Sequence, residues 1–452
     1  MTADSSTALT GIDVVTPADA GWDEARRAWN LAVDQRPAMV ALPTSAEQVA
    51  SAVRGARDAG LRVAVQATGH GSSARGGLEG AMLINTSRMR EVEIDAGRRS
   101  ARAAAGAVWE DVVPPAAEHG LAALHGSAPD VGVVGYTLGG GVPWLGRRHG
   151  LASNSVTALE VVTPAGDLVR ADAETEPDLF WALRGGGGSF GVVTAIEFRL
   201  YPVDSVNAGW LIWPWEEARR VLTRWAEWTR TVPDEVSSVG RLLQVPPLPD
   251  LPDAVRGRQL AVVEAAILAD EEDAGRLLAP LRELAPEIDT FAQMPPPGLV
   301  TLHMDPPEPV PGIGNGCMID ELPPEAVDAL VAVAGPGSGS PLVSVEARHV
   351  GGALGRVPDG AGALGRLDGG FLLYGVGVLM PPATPDALRA AVDAVVDAMA
   401  PWGRGRSCLN FTDVATDTGT MFDAEAYRRL AGIRGRIDPE GLLLANHPIP
   451  AA

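Results

Sequence analysis

Short apolar runs alternate with helical periods along the first 200 residues. Val40-Ala41-Leu42 reads as a strand, and Thr44-Ser45-Ala46-Glu47 is a T-x-x-E capping box opening a helix with Val49, Ala52, Val53 and Ala56 on one face. Gly60 ends that helix, and residues 62–66 and 82–84 supply a second and a third strand, so this half reads as α/β. From 203 to 400 the pattern changes. Period-two alternation at 261–268, 343–350 and 371–379, separated by helical stretches at 216–228, 270–284, 324–333 and 385–399, predicts an antiparallel sheet backed by helices. Trp210, Trp213, Trp215, Trp225 and Trp228 crowd the entry to this region. The Pro-rich connections 245–253 and 294–311 read as rigid surface loops. The tail from residue 408 carries another strand, a helix at 424–436 and an apolar end, an order that predicts packing against earlier structure. No solenoid period is visible, and the whole reads as α+β.

Composition narrows the function. A chain of 452 residues is long enough for two or three structural units at roughly 100–200 residues each. Its formal charge of −21 repels phosphate backbones and anionic lipid, so nucleic-acid and membrane partners are not expected. Lysine is absent, which excludes Schiff-base chemistry and a P-loop. Cys317 and Cys408 lack ligand spacing, so no metal site is expected, and whether they pair is open. Residues 1–6 are polar and acidic, unlike a signal peptide, and no run of about 18 apolar residues follows, so a cytoplasmic location is expected.

Glycine clusters at 69–77, 126–146 and 185–191 punctuate the first half. The first sits directly after a strand and contains His70. Glycine there permits close approach of a ligand to the backbone, and successive N–H groups make an anion-binding concavity. The third cluster matches G-x-G-x-x-G, yet it leads into the alternating strand Val192-Val193-Thr194-Ala195-Ile196 rather than into a helix, which is the wrong context for a Rossmann fingerprint.

Read in order, Arg36-Pro37-Ala38, Pro43 to Val49, Gly69-His70, Gly132-x-x-Gly135-x-x-x-Gly139-Gly140-Gly141, Trp181 to Gly188 with Phe190-Gly191-Val192-Val193, and Asn446-His447-Pro448-Ile449-Pro450 resemble a known pattern. It is that of the berberine-bridge-enzyme-like branch of the vanillyl-alcohol-oxidase / p-cresol methylhydroxylase (PCMH) flavoprotein superfamily. The resemblance implies a two-part FAD-binding domain of PCMH type, residues 1–203 with a core at about 34–203, and a substrate domain over 204–404. Residues 405–452 would then return to the FAD domain. It implies FAD as cofactor, linked at the position of His70 to the flavin 8α carbon. Relatives with a second link carry cysteine in G-x-C-x-x-V-G, and here Ala128 stands at that place, so a single covalent attachment is expected.

By the same resemblance Ala67, Thr68, Gly69, Gly71 and Ser72 hold the pyrophosphate, and Pro129, Val131, Gly132, Gly135, Tyr136, Gly139, Gly140 and Gly141 line the ribityl chain and ring. Gly191 and Val193 lie near the adenine portion, and Asn446 closes over the flavin. Val131 matches the oxidases rather than the dehydrogenases, while Pro143 departs from the usual glycine. Relatives often draw a base from Tyr-x-Asn-Tyr, but Cys408-Leu409-Asn410-Phe411 has neither tyrosine. Tyr374, Glu346 and Arg348, with Asn410 to orient the substrate, are the catalytic candidates; Glu346 and Arg348 read equally as a solvated pair on one strand face. His349 lies on the other face of that strand, and His303 and Asp359, in loops, are weaker candidates. The implied reaction is hydride transfer from a small organic substrate (alcohol, sugar, amine or natural-product intermediate), with dioxygen as acceptor. A dehydrogenase of the same fold, or a redox-neutral cyclase in which the flavin is a scaffold, are the competing readings. Oligomeric state is not legible.

Overall fold

The computed structural model describes residue 9, residues 11–249 and residues 251–452. The polar, acidic amino-terminal stretch 1–6 lies outside the described residues. A first sheet runs in the order Asp13–Val15, Met39–Leu42, Ala81–Asn85, Arg62–Gln66, Leu443–Leu444. All its pairings are parallel except the first. Its last strand comes from the tail: Leu443 and Leu444 pair with Val63 and Ala64, so the carboxyl end does pack back on the start of the chain. A second, antiparallel sheet runs Val92–Asp95, Ser100–Ala104, Val192–Arg199, Val156–Val162, Leu168–Asp172.

The helix Ala46–Asp58 begins one residue later than the capping box suggested. Ser45, not Thr44, is the cap, its Oγ accepting from the N–H of Gln48, while Gln48 Oε1 takes the N–H and hydroxyl of Thr44. Gln48 thus reaches back past the cap to Thr44 rather than to the N–H of Ser45, a displaced form of the capping box.

Residues 206–378 build an eight-stranded antiparallel sheet: Ile288–Asp289, Val206–Pro214, Gln259–Ile267, Val236–Gln244, Ser344–His349, Phe371–Val378 and Gly312–Ile319, with Ala292–Met294 also on Val206–Pro214. Trp210 and Trp213 lie within a strand, whereas Trp225 and Trp228 lie on the helix Ala218–Thr229. Trp225 covers Gly240, where a Cβ would come within 2.5 Å of its ring, so only glycine lets the helix seat there. Four helices, Ala218–Thr229, Glu271–Arg282, Pro324–Ala334 and Pro385–Met399, bury one face of this sheet around Leu211, Val263, Val345 and Leu373. The opposite face is left for chemistry. Among the described residues no helix is long and apolar enough to cross a membrane.

Candidate active site

The strand Arg62–Gln66 delivers the chain into the first glycine cluster, where Gly69 takes φ +91° and a Cβ would fall 2.8 Å from the Ala28 backbone. The turn is closed by Ser72, whose hydroxyl donates to the Gly69 carbonyl at 2.8 Å. His70 is thereby fixed from three sides. Its Nδ1 is 2.8 Å from Thr68 Oγ1, Trp29 stacks on its ring at 4.3 Å and 20°, and its Nε2 lies 3.7 Å from Asp130 Oδ1. Trp29 Nε1–H donates to the other carboxylate oxygen at 2.5 Å. His70 Nε2 and Asp130 Oδ1 are both buried without a hydrogen-bond partner.

Across from this turn stands the free face of the large sheet. Register sets its charges in two rows: Glu264 opposite Val239, itself opposite Arg348; and Arg241 opposite Glu346, itself opposite Tyr374. Residues two apart on a strand share a face, so the rows are neighbours. The result is a buried ionic network. Arg348 Nε donates to Glu346 Oε1 at 2.6 Å, His303 bridges Glu264 (Nδ1, 2.9 Å) and Glu346 (Nε2, 2.8 Å), and Arg241 reaches Glu264 at 3.2 Å. Burial and Arg241 push the His303 pKa down, but the carboxylates of Glu264, Glu346 and Asp305 outweigh them and raise it to about 9. Burial raises the Glu346 carboxyl, yet the cations of Arg348 and His303 hold it well below its ordinary range. A solvated Glu346–Arg348 pair is thus not what forms: Glu346 is 2% exposed.

Beside the network, Tyr374 Oη–H donates to Asp413 Oδ2 at 2.7 Å. Burial raises the Asp413 pKa to about 6 against the opposing hydrogen bond, and burial together with the Asp413 charge lifts Tyr374 well above the usual phenol. Arg348 lies over the Phe411 ring at 4.9 Å. Asn410 is committed elsewhere, accepting from Gly141 N–H at 2.9 Å and donating to the Tyr136 carbonyl at 3.1 Å, so it braces the second glycine cluster.

One cavity of about 860 Å³ joins these parts. Residues 67–72, Val131, Gly132, Gly135, Tyr136, Gly139, Gly191, Val193 and Asn446 line it, together with Tyr374, Glu346, Arg348, Asn410 and His303. Three expected contacts fall outside the lining. The Pro129 carbonyl accepts from Glu110 N–H, and Gly140 and Gly141, at φ +106° and +70°, turn the chain away toward Ser153 and Ala152. His349 and Asp359 are also outside it; His349 packs against Phe371, where burial and Arg147 press its pKa to about 3. The two Pro-rich connections are not mere surface loops, since Val245, Leu248, Leu251, Met304 and Val310 line the cavity. Cys317 and Cys408 are free.

Trp29, Asp130, Arg241, Glu264 and Asp413 also belong to the site, although no motif in the sequence marks them. A signal existed for two of them: Glu264 and Arg241 are lone charges inside apolar strands, and such charges are kept only when paired.

The described groups suit a large, polar-edged ligand. Gly135 and Gly188 line the cavity and have nothing within 4 Å of where a Cβ would be, so their backbone is open to it, and the buried Tyr136 hydroxyl has no partner. Residues 37–172 match the family model described as FAD binding domain. The (R)-6-hydroxynicotine oxidase of Paenarthrobacter nicotinovorans is 37% identical over 202 residues, 44% of this chain and 44% of that protein. The matched stretch thus spans less than half of that curated relative. The solved 6-hydroxy-D-nicotine oxidase of Arthrobacter nicotinovorans superposes over 96% of this chain and 97% of its own with TM-score 0.83 at 26% identity. Glucooligosaccharide oxidase of Acremonium strictum, described with a 6-S-cysteinyl, 8α-N1-histidyl FAD, shares the fold at TM-score 0.82 over 99% of both chains and 23% identity. Residues 37–172 thus carry an FAD binding domain, and the chain is similar to flavoproteins of the vanillyl-alcohol-oxidase superfamily. FAD is its cofactor, and the α+β fold is that of the PCMH-type flavoproteins.

Proposed function

We propose that this flavoprotein is an oxidase of a compact, largely apolar organic substrate, taking hydride from an alcohol or amine carbon and passing the electrons to dioxygen. The observation that carries this reading is the single cavity in which the His70 turn and the Tyr374–Asp413 pair face one space. Residues 67–72, 131–139, Gly191, Val193 and Asn446 would hold FAD, with His70 as its one covalent anchor and Ala128 in place of a second. When bound, FAD supplies the hydride acceptor.

The chain's own residues supply the proton chemistry. A phenolate at Tyr374 is unavailable near neutral pH, because burial and Asp413 hold the phenol protonated. Asp413, at about 6, is ionised there. A substrate hydroxyl can therefore pass its proton to Tyr374 Oη while the Tyr374 proton moves to Asp413, so the pair accepts one proton without free phenolate. Arg348, stacked on Phe411, faces the oxygen left behind. The walls favour an apolar body: Leu243, Leu251, Val255, Val310, Val376 and Met380 line the cavity, and Leu248 and Met304, exposed large apolar side chains, stand on its rim.

Anaerobic addition of substrate is expected to bleach the flavin, and admitted air to restore its colour with one hydrogen peroxide formed per turnover. Bleaching with slow reoxidation points to a dehydrogenase; no bleaching by any alcohol or amine points to a scaffold. The flavin is expected to stay with acid-precipitated wild-type protein and to be released from His70→Ala. On the wall, Leu251→Asn should raise KM about tenfold with kcat little changed, as expected for loss of uniform binding.

A further inference from the structure

We infer that Asp130 is the proton acceptor that makes His70 a flavin-attaching nucleophile. The inference rests on His70 being the attachment site, as proposed above. His70 Nε2 and Asp130 Oδ1 face each other at 3.7 Å, each buried, and neither has another partner. Two buried polar atoms left unpaired are costly unless they serve each other. The arrangement around them is specific. Trp29 holds the second Asp130 oxygen through its indole N–H at 2.5 Å and lays its ring on the imidazole at 4.3 Å. Thr68 anchors Nδ1, so the ring cannot swing. His70 lines the cavity whereas Asp130 does not, which places the carboxylate behind the ring and leaves the ring open to a ligand. Burial raises the Asp130 carboxyl, but His70, the Trp29 N–H and a backbone N–H together more than offset this and keep it below its ordinary value.

The step balances as follows. The imidazole N–H bond breaks and its proton passes to Asp130. Nε2 loses that proton, and the in-plane lone pair of Nδ1, released as the Thr68 hydroxyl turns away, forms the bond to the 8α carbon, whose methyl group gives up one proton. Two electrons stay on the isoalloxazine and reduce dioxygen, so the two hydrogens lost leave as hydrogen peroxide. Asp130 fixes the tautomer as the orienting carboxylate of a hydrolase triad does, but unlike that carboxylate it also receives the proton.

The test follows covalent attachment itself, not turnover. Wild type, His70→Ala, Asp130→Asn and Trp29→Phe would be produced with FAD, precipitated with acid, and read by flavin fluorescence on denaturing gels and by intact mass for the FAD adduct. Asp130→Asn is expected to bind FAD but to attach it on the order of 100-fold more slowly, the low end of what a positioned base contributes. Attachment in Asp130→Asn at the wild-type rate overturns the inference. Should Asp130→Asn not fold, Asp130→Ser, which also removes the carboxylate, carries the test with the same two outcomes, while Trp29→Phe, which leaves Asp130 in place but unheld, should slow attachment less. Wild-type flavin fully released by acid, or still attached in His70→Ala, overturns instead the reading on which the inference rests.

Discussion

Tyr374→Phe is expected to slow flavin reduction by substrate about 10²–10⁴-fold, the range a positioned acid–base group contributes, while leaving FAD content and substrate affinity near wild type. The substitution removes only an oxygen from a ring already packed edge-on against Phe411 at 5.6 Å, so the sheet should not notice it. What it removes is the relay to Asp413. In the wild type the reduction rate should rise with pH through about 6, because Asp413 must be ionised to receive the proton and burial has lifted its pKa to that value. Asp413→Asn should abolish that ascending limb and leave a slow, flat profile. Rapid-mixing measurements under anaerobic conditions at pH 5 to 9 read both effects. A Tyr374→Phe enzyme as fast as wild type would sink the relay and move attention to Arg348.

How far this site could be read in the sequence depended on the reach of each signal. Local signals carried well: the helix expected over 385–399 is Pro385–Met399, opened by Thr384 accepting from Ala387 N–H, and the glycine turn after the second strand does place His70 on the cavity. Signals that cross the sheet did not. Glu346, Arg241 and Tyr374 are more than 100 residues apart end to end, and only strand register makes them one row. Asp413 belongs with Tyr374 because a loop after Phe411 folds over the sheet, which no periodicity records. Asn410 shows the opposite failure. Its retained identity suggested substrate, but both ends of its amide hold backbone. The Pro-rich loops read as surface because proline dominates them, but Leu251 and Val310 line the cavity while Leu248 stands exposed on its rim.

Glu346→Ala is expected to cost the protein about 3–5 kcal/mol, the range for removing one partner of a buried ion pair. The carboxylate is 2% exposed and meets three cations: Arg348 at 2.6 Å, His303 at 2.8 Å and Arg241 at 4.0 Å. Truncation strands them with Glu264 as the one remaining fully buried carboxylate, and burial that was offset becomes a net penalty. Urea unfolding of wild-type and variant holoprotein at pH 7 reads the difference; equal midpoints and slopes would mean that the cluster is solvated and contributes nothing to stability. The pH dependence has a definite sign. His303 titrates near 9 in the fold against about 6.5 in an unfolded chain, so its contribution is complete below about 6.5 and is lost as pH rises through 9. Glu346→Ala withdraws one of the carboxylates that raise it, so the variant should already have lost most of this contribution by pH 8 and show a shallower decline above it. Because Arg348 depends on Glu346 for its placement over Phe411, the same variant should also slow flavin reduction, whereas Glu346→Gln, which keeps an oxygen toward Arg348, should retain more of the rate than of the stability. That split separates a carboxylate that positions Arg348 from one that itself takes the substrate proton, for which Gln would be as damaging as Ala.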